Sequence, residues 1–276
     1  MTTIIEKFQL NGRVAIVTGG AGLLGKEFCR TLAEAGASVV VADIYGGPAI
    51  EVAGALQKNN YPAIGLGLDI TSQESIQQMM TETLKTFGRL DILVNSAGLD
   101  PKFDAAALAK GKNSGSFEDY PLDKWNEALN VNLTGLFLVT QACVQPMLAQ
   151  GKKGSIINIC STYGLKGPDQ RIYRKAGRAQ TFKPVYYTVT KAGVLGFTKY
   201  LAAYYMGTEL RVNALSPGGV FNNHDETFVT NYSAKTILGR MAHLDEMNGA
   251  LLFLASEASS YMTGGNVVVD GGWTAW

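Results

Sequence analysis

Residues 13–25 read Arg13-Val14-Ala15-Ile16-Val17-Thr18-Gly19-Gly20-Ala21-Gly22-Leu23-Leu24-Gly25, and this stretch decides the fold. Val14 to Thr18 make a short apolar, β-branched run, the mark of a buried strand. The run passes into a glycine-rich turn and then a helical pattern from Lys26 to Ala35. Such a strand, turn and helix present backbone N–H groups and the positive end of a helix to an anion such as a pyrophosphate. The next apolar run, Ser38 to Ala42, ends in Asp43, about 20 residues beyond the turn, where a carboxylate can accept the hydroxyls of an adenosine ribose. A strand-end aspartate that caps the following turn is the alternative use of Asp43.

Working outward, strands are expected near 14–18, 38–42, 63–68, 90–95, 154–160, 209–215 and 266–269, with helices between them. Apolar runs without strict alternation suit parallel strands buried on both faces. The expected fold is α/β: one domain over residues 1–276, a doubly wound, Rossmann-type parallel sheet with helices on both faces. Ligands of such sheets gather at the carboxyl ends of the strands, where Thr18, Asp43, Asp69, Asn95 and Ser161 fall. With a net charge of +1, no nucleic-acid partner is expected. No apolar run reaches the roughly 18 residues of a bilayer span, and the start, Met1 to Phe8, has no long apolar stretch, so a cytoplasmic protein without a membrane partner is expected. Cys29, Cys143 and Cys160 form no Cys-x-x-Cys pair and read as buried reduced thiols. His224 and His243 stand too far apart for helical metal-ligand spacing, and no catalytic metal is expected.

Tyr187 and Lys191 stand at i, i+4, which sets a phenol beside an ammonium on one helix face. A free phenol with a pKa of about 10 is a poor proton-transfer group at neutral pH, but a neighbouring cation stabilises the phenolate. Tyr120 and Lys124 share this spacing. Pro121 marks a helix start there, which leaves Tyr120 off the helix face.

These motifs together resemble the short-chain dehydrogenase/reductase family over nearly the whole chain. The family's Thr-Gly-x-x-x-Gly-x-Gly is matched at Thr18, Gly19 and Gly25, with Leu23 where the middle glycine is usual and Gly22 one place earlier. Further matches are Asp69, Asn95-Ser96-Ala97-Gly98, Asn132 within Val131-Asn132-Leu133, Ser161, the Tyr187 and Lys191 pair, and Pro217-Gly218. The resemblance implies catalysis by Asn132, Ser161, Tyr187 and Lys191. Tyr187 would exchange the substrate proton and Ser161 would hold the substrate oxygen. Lys191 would also hold the nicotinamide ribose, and Asn132 would fix the active-site helix and a water chain to Lys191. The cofactor would lie along Gly19, Gly22, Leu23, Leu24, Gly25, Asp43, Ile44, Asp69, Ile70, Asn95, Ala97, Gly98, Tyr187, Lys191, Pro217, Gly218 and Val220. Members of the family commonly form homotetramers, or homodimers, and Trp273 and Trp276 near the final strand would suit a subunit boundary.

Charge selects the cofactor. Asp43 is followed by Ile44-Tyr45-Gly46-Gly47, with no basic residue to meet a 2′-phosphate, so NAD is expected, with Lys26 the nearby cation. Between Ser161 and Tyr187 the chain is about twice as long as the family usually has. The insertion 166–183 carries six basic residues and one acid, a balance of +5 that leaves −4 for the remainder. Concentrated there, the charge would draw an anionic substrate, or the segment would be a solvated loop or subunit contact. Asp100 to Asp119 would form the opposite wall, and Asn222, Asn223, His224 and Asp225 would add polar groups. A polar or anionic sugar-like substrate is expected. The Pro217 to Asn223 and Val269 to Trp276 segments resemble those of bacterial surface-glycan and flagellin-sugar oxidoreductases, including those of legionaminic-type sugars. A gluconate-type or polyol dehydrogenase is the alternative enzyme, and a non-catalytic dinucleotide-binding sensor or structural subunit the alternative outside enzymes.

Overall fold

In the computed structural model, seven strands form one parallel sheet. They are β1 (Val14–Thr18), β2 (Ser38–Asp43), β3 (Ala63–Gly67), β4 (Ile92–Asn95), β5 (Lys153–Ile159), β6 (Glu209–Pro217) and β7 (Asn266–Val269). Their order is β3-β2-β1-β4-β5-β6-β7, every neighbouring pair parallel. All seven fall where the apolar runs place them. The structure describes residues 2–100, 114–151, 153–175, 177 and 179–276.

The helices among these residues are α1 (Leu23–Glu34), α2 (Gly46–Lys58), α3 (Gln73–Phe87), α4 (Leu122–Leu129), α5 (Leu136–Ala149), α6 (Val185–Tyr204), α7 (Glu226–Ser233) and α8 (Asn248–Ala255). Strand residues alternate between two cores, because successive side chains leave opposite faces of the pleat. Ala15 and Val17 of β1 join Phe28 and Leu32 of α1 and Leu251 and Leu254 of α8 on one face. Ile16 joins Met79 of α3, Cys143 and Met147 of α5 and Leu201 of α6 on the other. Covering both faces explains why the strands read as unbroken apolar runs. Each fully buried large side chain contributes on the order of 1.5–3 kcal/mol.

The span Leu122–Ala149 is long and apolar enough to cross a bilayer by length and composition. It is not an unbroken apolar run, since Asn130, Asn132, Thr134, Thr140 and Gln141 interrupt it. Here it packs on the sheet through Val139, Cys143 and Met147. Between α4 and α5 it contains a π-helical turn, Asn130–Gly135. Tyr120 stands outside the helix that Pro121 caps, as its sequence context implies. The three cysteines are buried and unpaired as disulfides.

The chain winds outward in both directions from β1 and β4, which lie side by side with Thr18 opposite Asn95. This reversal leaves a crevice beyond the strand ends.

Candidate active site

A cavity of about 770 Å³ opens in that crevice. One end is walled by the glycine turn and the ends of β1 to β4. Gly19 adopts φ of +66°, and a Cβ there would approach Ala97 Cα to 2.9 Å. At Gly25 a Cβ would stand 2.0 Å from the Gly19 carbonyl oxygen, so only glycine lets the helix start this close to the strand. Gly22 is the N-cap of α1, in extended conformation, and its N–H donates to the Gly19 carbonyl (3.0 Å). Leu23 opens the helix; Gly22 supplies the bend before it. The first intrahelical bond runs from Lys26 N–H to Gly22 O, which leaves the N–H groups of Leu23, Leu24 and Gly25 without a carbonyl four residues back. All three residues line the cavity. That row of donors at a positive helix end fits a pyrophosphate.

Asp43 closes this end. Its carboxylate accepts from Ala21 N–H (3.1 Å) and Tyr45 N–H (3.2 Å). The residue caps the following turn, as the alternative reading has it, and it also holds the glycine loop and lines the cavity. Asp69 accepts from the Thr71 N–H (2.8 Å) and hydroxyl (2.7 Å). Ile44, Asp69, Ile70, Ala97, Gly98, Pro217, Gly218 and Val220 also line the cavity.

Asn95 does not. Its amide donates to Thr140 Oγ1 and Asn158 Oδ1, both at 2.9 Å, and Asn158 in turn donates to Thr198 Oγ1 (2.9 Å). The side chain is turned into a buried polar network that ties β4 and β5 to α5 and α6. Its side-chain amide is thus committed to the fold and does not face the cavity. Thr18 works similarly, its hydroxyl accepting from the N–H groups of Ser96 (3.2 Å) and Ala97 (3.1 Å).

At the other end Tyr187, Lys191 and Ser161 converge. Tyr187 and Lys191 lie on α6, with the Lys191 Nζ 5.8 Å from the Tyr187 ring centroid and donating to the Ile159 carbonyl (2.9 Å). Ser161 follows β5, and its hydroxyl accepts from Tyr163 N–H (3.2 Å). Asn132 stands behind them in the π turn and does not line the cavity. Its Oδ1 accepts from Leu99 N–H (2.7 Å), and its Nδ2 donates to Thr190 Oγ1 (3.2 Å), which fixes α6 as expected.

Electrostatically the expectation for Tyr187 needs correcting. Burial, and after it the charge of Asp100, pushes its phenol above the ordinary tyrosine value, opposed by a hydrogen bond from Ser161. Desolvation therefore outweighs the ammonium in the free protein. The same desolvation pulls Lys191 down.

A second cation is present. Lys183 Nζ lies 4.1 Å from the Tyr187 ring centroid and 3.2 Å from Asp100 Oδ1. Of the insertion's other described basic residues, Arg171 pairs with Asp169, Lys175 with Asp225, and Lys166 donates to the Trp276 carbonyl. Arg174 is exposed, and Arg178 lies outside the described residues, as do 101–113 of the expected opposite wall. The inward face of the insertion is instead apolar: Ile172 and Tyr173 are buried.

Tyr173 joins Tyr163, Phe228, Tyr232 and Trp273 in an aromatic cluster. Tyr232 stacks on Trp273 with centroids 4.3 Å apart, and Tyr163 meets Tyr187 and Trp273 edge-on at 6.3 Å. Among the described residues the expected basic pocket is instead aromatic, with Lys183 the basic residue that the insertion adds to its lining. Trp273 is 6% exposed within its own chain, so its burial needs no second subunit. Trp276 remains 70% exposed. Asn222 and His224 line the cavity; Asn223 and Asp225 do not. Phe228 and Tyr232, four apart on α7, were findable from their i, i+4 spacing.

The family model described as enoyl-(acyl carrier protein) reductase matches residues 20–274. A short chain dehydrogenase/reductase of Aspergillus oryzae is 35% identical over 283 residues, covering 99% of this chain and 98% of the relative. The chain is a short-chain dehydrogenase/reductase. A 3-alpha-(or 20-beta)-hydroxysteroid dehydrogenase of Mycobacterium bovis is 37% identical over 267 residues, covering 97% of this oxidoreductase and 91% of the relative. Among solved structures, a gluconate 5-dehydrogenase of Burkholderia cenocepacia with NADP and tartrate superposes with TM-score 0.85 at 29% identity, covering 99% and 100% of the two chains. A short chain dehydrogenase of Leptospira borgpetersenii with bound NAD+ gives 0.80 at 34%, covering 99% and 96%. Relatives of this dehydrogenase/reductase thus hold either nicotinamide cofactor and act on different substrates.

Proposed function

We propose that this enzyme interconverts a secondary alcohol and a ketone with NAD(H), on a compact polar substrate built on a sugar-like or other small ring. One observation carries the reading: Tyr187, Ser161 and Lys191 converge at one end of a cavity whose other end is the glycine turn and Asp43. A bound nicotinamide supplies the acceptor or donor of hydride.

The chain's own residues handle the proton and the charge. The Tyr187 phenol takes the carbinol proton in one direction and returns it in the other. Ser161 offers its hydroxyl to the substrate oxygen, where charge develops. Lys191 steadies the phenolate and would hold the ribose hydroxyls of a bound cofactor. Asn132 acts on the helix through Thr190. Burial of the phenol keeps water away, and this same burial requires the cation, because an unaided buried phenolate is costly.

Asp43 favours NAD. Its carboxylate is held by two backbone N–H groups beside Ile44, Tyr45, Gly46 and Gly47, where a 2′-phosphate would meet repulsion and no cation. Lys26 is exposed and does not line the cavity. A structural relative is in complex with NADP, so the choice of cofactor is put to a direct test. In fluorescence titrations NADH is expected to bind more tightly than NADPH, and the Asp43→Ala, Ile44→Arg double variant to reverse the order. Tighter NADPH binding by the natural sequence would contradict the charge argument.

The gluconate-type reading draws support from the likeness to the gluconate 5-dehydrogenase. The aromatic cluster adds a requirement the sequence did not disclose, a substrate face that is apolar enough to lie against Tyr163 and Tyr173. A cavity that must also hold a dinucleotide leaves room only for a compact molecule.

A further inference from the structure

Of the groups around Tyr187, Lys183 is the one that proton and hydride transfer leave without a task. Its side chain is 14% exposed, whereas its partner Asp100 is 82% exposed. The lysine is set in place by backbone bonds on both sides. Gln170 accepts from Lys183 N–H (2.9 Å) and donates to its carbonyl (3.2 Å). One residue earlier, Phe182 N–H donates to the Ser114 carbonyl (2.9 Å), and Ser114 N–H donates to Gln180 (3.0 Å). A largely desolvated ammonium on a well-anchored backbone therefore faces the cavity beside the Tyr187 ring.

Such a charge needs an anion, since a buried cation without one is strongly disfavoured. In the free protein Asp100 supplies it. Being exposed, that carboxylate returns to water at little cost and its bond to the lysine is worth little by itself. The two partners are thus unequal, one fixed in the wall and one removable.

Resting on the oxidoreductase reading, we propose that the Lys183–Asp100 pair is a carboxylate subsite occupied by its own chain: a substrate carboxylate displaces Asp100 from Lys183 while the reacting carbinol meets Tyr187. The substrate class is then a ring or chain hydroxy acid, its carboxylate only a few bonds from the carbinol carbon. The aromatic wall of Tyr163 and Tyr173 takes the carbon skeleton between them. Exchange of one carboxylate for another keeps the charge beside Tyr187 unchanged, so substrate entry does not add repulsion to the forming phenolate.

The test compares acids with uncharged partners of like shape: gluconate with sorbitol, and 4-hydroxycyclohexanecarboxylate with its carboxamide. Rates are followed by NADH absorbance, and binding to the enzyme holding NADH is measured by calorimetry. The natural enzyme should prefer at least one acid over its neutral partner by about tenfold or more. Lys183→Met should erase that preference by loss on the acid alone, Lys183→Arg should retain most of it, and Asp100→Asn should tighten the acid. The proposal is overturned if no acid is preferred, including when neither member of any pair binds. It is equally overturned if Lys183→Met keeps the preference, or lowers acid and neutral rates alike, which is the behaviour of a group that only tunes Tyr187. NADH titration of each variant, with its melting temperature, separates these results from misfolding. An enzyme that binds no NADH would instead sink the underlying oxidoreductase reading.

Discussion

At the glycine-turn end the cavity wall comes from consecutive strand ends and turns between Gly19 and Gly98, and glycines at 19, 22, 25 and 98 leave backbone open to it. At the Tyr187 end it is side chains, gathered from residues near 161–173, 183–191, 222–232 and 273. The first region takes its shape from the sheet itself, whose register fixes every strand end. The second is shaped by packing among segments far apart in the chain. Backbone walls tolerate changes of side chain and recognise what many ligands share, whereas side-chain walls distinguish one ligand from another.

If the two regions are separable, damage at one should leave the other intact. The largest effect is expected from Tyr187→Phe, which deletes the exchangeable proton but keeps the ring: turnover should fall about 10²- to 10⁴-fold. NADH affinity should barely move. Near-normal turnover in that variant would remove Tyr187 from its assigned place, and a parallel loss of NADH binding would break the division itself. Trp273→Ala comes next. Deleting a buried indole stacked on Tyr232 should destabilise the fold by about 3–5 kcal/mol, visible as a lower melting temperature, with KM rising while NADH affinity holds. Its mass in light scattering should not change, because the residue is covered by its own chain. A change of oligomer size would return Trp273 to a subunit boundary.

The smallest effect concerns acid. Hydrogen bonds from Arg171 and then Lys235 hold Asp169 well below the usual carboxylate range, and Asp169 also caps the turn that carries Tyr173. A depressed folded pKa gives stability that is full above the unfolded value of about 4 and is lost as pH falls toward the folded one. The insertion should therefore loosen below about pH 4, before the glycine-turn region, and Asp169→Asn should flatten this difference. Hydrogen exchange at Ile172 and Tyr173 against that at Val40 and Val41 reads it directly; equal protection at all pH values would count against the contrast.

The same contrast governs what was legible in the sequence. All seven strands were readable because parallel strands buried on both faces write themselves as apolar runs, and the glycine turn because sterics at Gly19 and Gly25 admit no side chain. Tyr187 and Lys191 were readable from helical spacing. The direction of the Asn95 side chain was not readable, since a strand-end amide looks the same whether it faces a ligand or an internal network. The insertion misled. Its charges dominate the composition, but Arg171 and Lys175 are taken up by ion pairs with Asp169 and Asp225, and Ile172 and Tyr173, inconspicuous in a basic segment, supply the inner wall. Long-range pairing of this kind leaves no local pattern. Trp273 was noticed for its size, but what it stacks on, Tyr232, could not be seen from the chain alone.

The π turn at Asn130–Gly135 has a consequence for descent. One extra residue in a helical turn sets α4 and α5 out of phase, so that an apolar stripe drawn at uniform period does not run through both. Removing one residue from this turn would restore a regular helix and cost little in length. It would also swing the following side chains by about 100° relative to the preceding ones, taking Asn132 away from Leu99 or α5 away from the sheet. A lineage carrying Asn132 in this position is thus locked to an imperfect helix. Substitutions around it can accumulate, whereas a single deletion there is a dead end.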